Sequence, residues 1–372
     1  MQKKEAGELI RYLSDGMDVV ELSHDHYCEF FITIGVPESK NAWTIQRKLL
    51  SFLQGHDNAQ IVKADLFSPA AEWIKAFRSL NPDVPLTCIA TELCRSGIAA
   101  GIYLHAVSGV EVRPIVLNGH LLGSIYEDDW MKCLFLADVR PESEKKTRIK
   151  QADQTFLKIA KTLQSEGLSF TDVVRTWLYI DEILSWYPDF NKVRAEFFKT
   201  QRVFDGLVPA STGISGRNHS GSALVAGVFA LLAKNPLLNI QIIPSPLQCP
   251  AIKYGSSFSR AIEISASGYR QLLISGTASI DIDGQSMHLG DVRSQIDQTM
   301  KVVQAILHSR QMNWKNINRA IAYFKHAADC EFFDAYCADL GIPDFPLLIV
   351  KADICRDELL FEIEVDAIST IT

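Results

Sequence analysis

The sequence predicts an α+β fold made of repeated units, each a mixed sheet with two helices on one face. Segments that alternate apolar and polar residues, typical of strands, are interleaved with segments of helical periodicity. The same order of strands and helices returns along the 372-residue chain with a period of ~120 residues. Each unit would leave one sheet face uncovered, so we expect the units to pack with these faces inward as an intramolecular pseudo-trimer.

The first segment begins with a charged, helix-like stretch from Glu5 to Ser14, in which Leu9, Ile10 and Leu13 are apolar. It shows no obvious opening hairpin. We therefore predict an N-terminal α/β domain over residues 1–112, which is either a degenerate copy of the repeat or a separate fold. Its predicted strands are 28–36, 59–67, 85–91 and 98–107, and its predicted helices are 42–53 and 70–80.

The second segment, residues 113–235, contains the repeat in clearer form. A long amphipathic helix in its middle is ended by Gly167, the residue type that most often terminates a helix. The predicted strands are 121–126, 133–139, 172–180, 207–214 and 223–232, and the predicted helices are 149–166 and 190–200.

The third segment, residues 252–372, repeats the scheme after a predicted linker. Residues 236–251 carry four prolines and the pair Gln248-Cys249, and proline-rich stretches are typical of loops. The predicted strands of the third unit are 258–264, 272–280, 317–324, 345–353 and 359–368, and its helices are 291–309 and 330–340.

Composition excludes several classes of function. The net charge is -7 and the pI is about 5.8, so there is no basic surplus to neutralise phosphates, and we expect no nucleic-acid partner. No secretory signal and no apolar stretch of membrane-spanning length is visible, so we expect no membrane partner. The eight cysteines are scattered without a C-x-x-C pair, which is typical of free thiols in a reducing cytoplasm.

We predict no cofactor and no metal. The metal-ligand spacings of cysteine pairs are missing, and the most suggestive histidines are His24 and His26, which flank Asp25. No second group of ligands accompanies this run, and a polar loop is the simpler interpretation.

The C-terminal strand is the most informative stretch. Leu360, Glu362 and Glu364 share one of its faces, opposite an aromatic residue and an isoleucine. The glutamates are either solvated or ion-paired, since charged residues are seldom buried without a partner, or one of them lines a pocket as an acid whose pKa is raised by apolar neighbours. The pattern alone leaves both alternatives open.

The repeat unit resembles the Rid (YjgF-type) family, with its bacillus chorismate mutase-like fold. The closing run Glu362-Ile363-Glu364 matches the end of that family's last strand, and the resemblance covers roughly 115–235 and 252–370. Rid proteins are usually homotrimers with sites at the subunit clefts. The resemblance therefore implies tandem Rid-like domains with a site where two of them meet.

The deaminases of the Rid family need an arginine directly after a Pro-Ala pair, to hold the substrate carboxylate. The matching positions here are Ser211 and Leu347. Neither side chain can form the bidentate contact that arginine forms with a carboxylate. A Rid-type enamine or imine deaminase is therefore disfavoured.

A second resemblance is more specific. Several motifs in the same order are similar to those of the chorismatase family, whose enzymes are built on Rid-like domains and remove pyruvate from chorismate. The segments that carry it are 175–179, 209–214 with Arg202 upstream, 258–261, 275–280, 288–292 with Gln295, and 355–364.

This resemblance implies a chemistry for the C-terminal strand. Chorismate is a dianion with an enol ether, and its cleavage to pyruvate and either a hydroxybenzoate or a dihydroxycyclohexadiene carboxylate requires a proton on the terminal methylene carbon. Glu362 matches the glutamate of the family and is the predicted general acid. A carboxyl group in an apolar pocket stays protonated near neutral pH, which suits this role.

Arginines are suited to the two carboxylates of such a substrate because their donors form a fork. Arg202 and Arg260 are predicted to bind the substrate from their positions in the motifs. Arg175 shares a strand face with two aromatic residues and either lines the cleft or forms a structural ion pair. Arg194 lies on the helix predicted over 190–200 and is predicted to be a solvated surface charge.

Five further residues complete the predicted site. Tyr187 precedes that helix, where its hydroxyl could reach a ligand, and Thr212, Gly213 and Ala278 lie in matched motifs. The chorismatase family varies in small residues near Ala278 and near Cys355, and this variation is associated with the product formed. We expect Cys355 to shape the pocket by its volume and not to act as a nucleophile, since no histidine is placed to activate it.

Two alternatives to a chorismatase remain. One is the Rid-type deaminase; the other is a non-catalytic Rid-like protein that binds a small ligand, which predicts that Glu362 is exposed or ion-paired away from any cleft. For the chorismatase interpretation we expect a small, dianionic, chorismate-like substrate as partner and a monomer, or a pseudo-trimeric monomer, as the active form.

Overall fold

In the computed structural model, which describes residues 7–266 and 268–371, the chain forms three six-stranded mixed sheets. The first sheet contains β1 (Leu9–Ser14), β2 (Met17–Ser23), β3 (Cys28–Pro37), β4 (Gln60–Phe67), β5 (Leu86–Ile89) and β6 (Ile98–Ser108), with α1 (Ala42–Gly55) and α2 (Ala71–Leu80). The second contains β7 (Arg113–Leu117), β8 (His120–Glu127), β9 (Met131–Val139), β10 (Val173–Ile180), β11 (Ala210–Ser215) and β12 (Leu224–Ala233), with α3 (Arg148–Ser165) and α4 (Tyr187–Thr200). The third contains β13 (Asn239–Ile243), β14 (Ala261–Ala266), β15 (Tyr269–Ala278), β16 (Ile317–Phe324), β17 (Leu347–Lys351) and β18 (Phe361–Thr370), with α5 (Val292–Ser309) and α6 (Cys330–Asp339).

The three sheets have one topology. Their strand orders are β1-β2-β3-β6-β4-β5, β7-β8-β9-β12-β10-β11 and β13-β14-β15-β18-β16-β17. In each, the fourth and fifth strands along the chain pair in parallel, and the remaining neighbours are antiparallel. The N-terminal segment therefore has the same topology as the other two.

The helices that begin the crossover in each unit have side-chain caps. Asn41, Thr147 and Asp291 accept hydrogen bonds from backbone N–H groups in the first turns of α1, α3 and α5, which satisfies donors that the helix leaves unpaired. No helix in the described part of the chain combines the length and the apolarity needed to cross a bilayer.

The second face of each sheet is covered by the other two sheets. Phe31, Phe135, Tyr179, Leu273 and Tyr323, which come from all three sheets, belong to one buried apolar cluster. Helix-side clusters form separately in each unit. Burial of this central surface favours association of the units, and the predicted pseudo-trimeric packing is confirmed.

Three buried cations surround the centre at equivalent positions. Lys63, Arg175 and Arg319 each follow a register irregularity in β4, β10 and β16, respectively. All three are almost fully buried. They face the indole ring of Trp177, with the Lys63 Nζ atom 4.2 Å from the ring centroid and the two guanidinium carbons at 5.4–5.5 Å.

Carboxylates balance these cations. Glu364 of β18 accepts hydrogen bonds from Arg175 Nη2 at 2.7 Å and from Arg319. Arg319 also donates to Asp366 at 3.3 Å, and Lys63 pairs with Asp65. Buried charges cost several kcal/mol each unless they are paired, so this network requires that the second and third sheets stay in register.

The structure corrects two sequence-based predictions. Residues 9–14 of the predicted helix Glu5–Ser14 form β1, while Glu5 lies outside the described residues. The two-residue turn Asp15-Gly16, with φ of 52° and 85°, joins β1 to β2 and is typical of a tight hairpin.

The predicted linker 236–251 contains a strand, β13, which pairs with β14 at the edge of the third sheet. Its prolines lie on either side of the strand and not within it, which is where prolines are tolerated. The predicted domain limits at 112 and 235 fall between sheets, and we propose that the third domain begins before β13.

The ion pair between Arg175 and Glu364 is a testable element of the fold. Replacing Arg175 with methionine leaves the fully buried Glu364 without its partner from the second sheet, and we expect the unfolding free energy to fall by about 3–5 kcal/mol. Urea denaturation followed by tryptophan fluorescence measures this.

The matched control is Arg113→Met. Arg113 pairs with Glu166, but its side chain is 53% exposed, so the change should stay below about 1 kcal/mol. Equal decreases in the unfolding free energy of the two variants would show that the buried ion pair contributes no more to stability than the exposed one.

Candidate active site

A cavity of about 570 Å³ opens in the cleft between the second and third sheets. The second unit contributes the first turns of α4 and part of β11 to its walls. The third unit contributes residues 254–260, the ends of β15 and β18, and the loop 355–357. The cavity therefore lies where two units meet, as the sequence predicts.

Glu362 lies in this cavity near the start of β18, and only 4% of it is exposed. Burial raises the pKa of its carboxyl group to about 8, and the neighbouring carboxylate of Glu364 adds to the increase, while Arg175 and Arg260 oppose it. Near neutral pH the Glu362 carboxyl group is therefore mostly protonated.

A glycine makes room for this carboxyl group. A Cβ atom at Gly276 of β15 would overlap Glu362 Oε1. The backbone N–H of Gly276 donates to Thr212 Oγ1 at 3.1 Å, and the Ser211 N–H donates to Ser275 Oγ at 2.8 Å. These bonds join β11 of the second unit to β15 of the third and fix the cavity floor.

Two residues along the same strand, Glu364 has the opposite character. It is fully buried, and Arg319 and Arg175 lower its pKa against the effect of burial. Thr212 also donates to it. Both alternatives left open by the sequence are therefore realised, with one ion-paired and one neutral glutamate on the same face.

Arg260, which was predicted to bind substrate, lies at the cavity wall. Its Nε donates to the Cys249 carbonyl at 3.0 Å, and its guanidinium lies 5.4 Å from the ring centroids of both Tyr254 and Phe258. Its Nη2 atom is buried and has no hydrogen-bond partner among the described residues. A buried donor without a partner is costly, so this position favours an anionic ligand.

Arg194 was predicted to be a solvated surface charge, and this is wrong. It is only 2% exposed and lines the cavity. Its Nη2 donates to Asn191 Oδ1 at 2.7 Å, while its buried Nε has no partner among the described residues. Burial lowers its pKa, which the neighbouring Tyr187 partly offsets.

A signal for Arg194 was available in the sequence. Phe190, Arg194 and Phe197 follow the spacing of one helical face, and all three are buried. An arginine within an apolar stripe faces the protein interior. No comparable pattern marks Tyr254 or Arg356, which also line the cavity and which sequence reasoning missed.

Arg202 was predicted to bind substrate and does not reach the cavity. Its side chain is 82% exposed and forms an ion pair with Asp205 at 2.8 Å. The residue adopts φ of 59° in the turn after α4. Its place near a matched motif did not indicate its orientation.

Arg175 and Thr212 lie behind the cavity wall and not on it. Both contact Glu364, and Arg175 also donates to Thr212 Oγ1 at 3.0 Å and to the Ile274 carbonyl at 2.9 Å. For Arg175 the structural ion pair is therefore the alternative that the structure shows. A direct substrate contact by either residue is not supported.

The remaining predicted residues, Tyr187, Gly213, Ala278 and Cys355, line the cavity. Burial and the nearby Glu362 raise the pKa of the Cys355 thiol to about 12, so it remains protonated and a poor nucleophile. Burial also raises the pKa of Tyr187 well above that of a free phenol. Both side chains therefore enter the site as neutral groups.

Glu362 has no acidic counterpart in the other two units. The strand registers place Val225 of β12 and Gly101 of β6 at the equivalent position. No group of three His, Cys, Asp or Glu side chains in the described ranges is arranged to hold a metal ion. The cleft thus combines one neutral acid with unsatisfied guanidinium donors, which can bind an anion and deliver a proton to it.

Comparison with known proteins supports the fold. No family model matches the chain. A 3-hydroxybenzoate synthase from Streptomyces hygroscopicus is 26% identical over 226 residues, and the match spans 54% of this chain and 64% of the length of that relative. A chorismatase crystal structure superposes with a TM-score of 0.62 at 20% identity, covering 82% of this chain and 92% of the other.

A Rid family protein from Yersinia pestis is 22% identical to this chain. The match covers 35% of this chain and 98% of that protein, with a TM-score of 0.29. The fold expected from the sequence resemblance is confirmed by the match to the chorismatase structure.

The raised pKa of Glu362 predicts a pH-dependent stability. Between the unfolded pKa near 4.5 and the folded value of about 8, the unfolded chain has released a proton that the folded chain retains, so stability falls as the pH rises. The Glu362→Gln variant has no carboxyl group at this position, so its stability does not fall with pH in this way. We expect the margin by which its unfolding free energy differs from that of the wild type to grow in favour of the variant from pH 5 to 8, by roughly 3–4 kcal/mol, and then to level off.

Denaturation at pH 5, 6, 7, 8 and 9 measures this margin. As a control, Glu182→Gln removes an exposed carboxylate and should show no such trend. A margin for Glu362→Gln that stays constant across the range would contradict the raised pKa.

Proposed function

We propose that this chain, which has the fold of a chorismatase, is a chorismate-converting enzyme in which Glu362 acts as general acid. The observation that carries this is a mostly neutral carboxyl group buried in a cavity that also contains unpaired guanidinium donors. The similarity to a 3-hydroxybenzoate synthase supports the choice of substrate class.

The cavity suits a dianion. Arg260 and Arg194 come from the two units that form the cleft, and each has a buried nitrogen without a partner among the described residues. Hydrogen bonds from charged donors to carboxylates contribute about 1.5–3 kcal/mol each. Two such contacts from different walls would hold the two carboxylates of a rigid, cyclic substrate in one orientation.

Glu362 would then transfer its proton to the terminal methylene carbon of the enol ether. The π electrons of the enol form the new C–H bond, and the ether oxygen stabilises the resulting oxocarbenium ion. Glu362 becomes a carboxylate near Arg175 and Arg260, which favour its charged form. The raised pKa keeps the acid protonated near neutral pH, and the two arginines lower the cost of the negative charge that forms as the proton leaves.

Collapse of the oxocarbenium ion completes the reaction. Attack by water on the former enol carbon breaks the ether bond and yields pyruvate and a dihydroxycyclohexadiene carboxylate. Attack by the neighbouring ring hydroxyl group consumes no water overall and leads to pyruvate and a hydroxybenzoate. In both cases the proton that Glu362 gave up is recovered when the product forms.

The two rival functions are less well supported. Ser211 lines the cavity at the position where Rid deaminases need arginine. This position therefore carries no guanidinium group. The non-catalytic alternative expects Glu362 to be exposed or ion-paired, whereas it is buried at the cleft. Neither rival accounts for an acid with a raised pKa.

The first functional prediction is release of pyruvate from chorismate, followed with a coupled lactate dehydrogenase. We expect kcat/KM to be level below about pH 8 and to fall above it, because only the protonated form of Glu362 is active. Glu362→Gln should lower kcat by about 10²–10⁴-fold. The exposed control Glu182→Gln should retain full activity.

Absence of pyruvate above background would reject chorismate as the substrate. Full activity of Glu362→Gln would reject its role as the acid while leaving the substrate in place.

The second functional prediction distinguishes the arginines that line the cavity from the exposed arginine outside it. Removing a charged donor by Arg260→Gln or Arg194→Gln should raise KM about tenfold or more. Arg202→Gln, which changes an exposed arginine outside the cavity, should leave KM within about twofold. Steady-state kinetics at pH 7 measures all three, and a large effect of Arg202→Gln alone would show that the cavity is wrongly placed.

A further inference from the structure

A second groove lies on the second unit, beside the end of β9 and α3, with Arg78 of the first unit at its edge. At its floor the backbone N–H of Asp138 in β9 donates to Thr87 Oγ1 of β5 at 3.1 Å, as the Gly276 N–H donates to Thr212 Oγ1 at 3.1 Å. The groove has a volume of about 1050 Å³. The groove and the cavity of Glu362 therefore each lie beside an equivalent bond between two units.

The third cleft is closed. At Gly101, the position equivalent to Glu362, the space is filled by Leu93 and Leu348, whose methyl groups would lie 3.1 Å from an added Cβ. Packing at this cleft is apolar, and it offers no room for a ligand.

The strand registers identify the substitutions in the open groove. Counted from the pairings of β12 and β18, Asp138 takes the place of Gly276, Arg140 takes the place of Ala278, and valine replaces Glu362. The groove therefore lacks the acid that the proposed reaction needs. It gains an arginine at a wall position where the catalytic cleft has alanine.

The floor of the groove has an excess of positive charge. Arg140 and Lys158 are half-buried there beside one half-buried carboxylate, Asp138, which lies 3.2 Å from Arg140. Burial and the nearby Arg140 lower the pKa of Lys158, as expected for a cation without a full counter-charge.

At the rim, two exposed cations, Arg78 and Lys161, face two exposed carboxylates, Glu142 and Glu144. Exposed charges are largely screened by salt, so the half-buried floor determines which ligand charge the groove favours.

One wall of the groove is apolar. Leu121, Leu122 and Leu157 line it, and Leu157 is 51% exposed although it is a large apolar residue. An apolar wall beside a cationic floor suits a ligand with a hydrocarbon ring and an acidic group. A simple inorganic anion would leave this wall uncovered.

We propose that the groove beside β9 and α3 of the second unit is a second, non-catalytic binding site for a small cyclic carboxylate, held by Arg140 and Lys158 through its carboxylate and by the leucines through its ring. The groove's own walls define this ligand class, so the proposal does not require that the catalytic cleft turn over chorismate.

The test is a count of binding sites for 3-hydroxybenzoate by equilibrium dialysis. Wild-type protein should bind one molecule in the groove, and a second in the cavity of Glu362 if the proposed function is correct; a single site that the groove variant abolishes supports the present proposal. Arg260→Gln should remove the site in the catalytic cleft, and Arg140→Gln combined with Lys158→Gln should remove the other, each with a loss of affinity of about tenfold or more. Arg113→Gln, an exposed change in the same unit, should retain both sites.

Circular dichroism establishes that each variant is folded. A single wild-type site that Arg260→Gln abolishes, or a second site that the double variant leaves intact, would overturn the proposal, as would an absence of binding. Inorganic phosphate serves as the ring-free probe: if it competes as strongly as the aromatic acid, the apolar wall plays no part and the ligand class is wrong. Because pyruvate release is not measured, failure here is distinct from failure of the proposed reaction.

Discussion

The architecture at the cleft depends on the buried carboxylate of Glu364. Arg175 from the second sheet and Arg319 from the third both donate to it, and Thr212 completes its contacts. A charge without solvent is tolerated only when its partners are fixed. Glu364 therefore helps to fix the relative position of the two sheets, together with the hydrogen bonds from Gly276 and Ser211.

The ion pairs of Glu364 also help to explain why Glu362 is neutral. Because the cations beside β18 are already engaged by Glu364, the next glutamate on the same face, Glu362, lies in the cavity without a hydrogen-bonded counter-ion, and burial keeps it neutral. Two identical side chains thus acquire opposite protonation states from their surroundings. The equivalent positions in the three units differ in the same physical terms: one carries the acid, one is surrounded by leucines at Gly101, and one is Val225 in the apolar centre.

Most of the fold could be predicted from sequence because strand alternation and helical periodicity are local properties. The edge strands β1, β7 and β13 were missed, since short edge strands carry weak apolar patterns. At the site, motif order pointed to Glu362 and Arg260, which line the cavity, but it also pointed to the exposed Arg202 and overlooked the buried Arg194. Which glutamate is charged depends on Arg319, 45 residues away along the chain, and no local pattern carries that information.

The central claim is that Glu362 is a protonated carboxylic acid in the resting protein near neutral pH. Infrared difference spectroscopy between the wild type and Glu362→Gln detects this directly, because a protonated carboxyl group has a carbonyl stretching band that a carboxylate lacks. The account predicts this band at pH 7 and its disappearance as the pH is raised through about 8. A spectrum at pH 7 that contains only the carboxylate bands of Glu362 would contradict it.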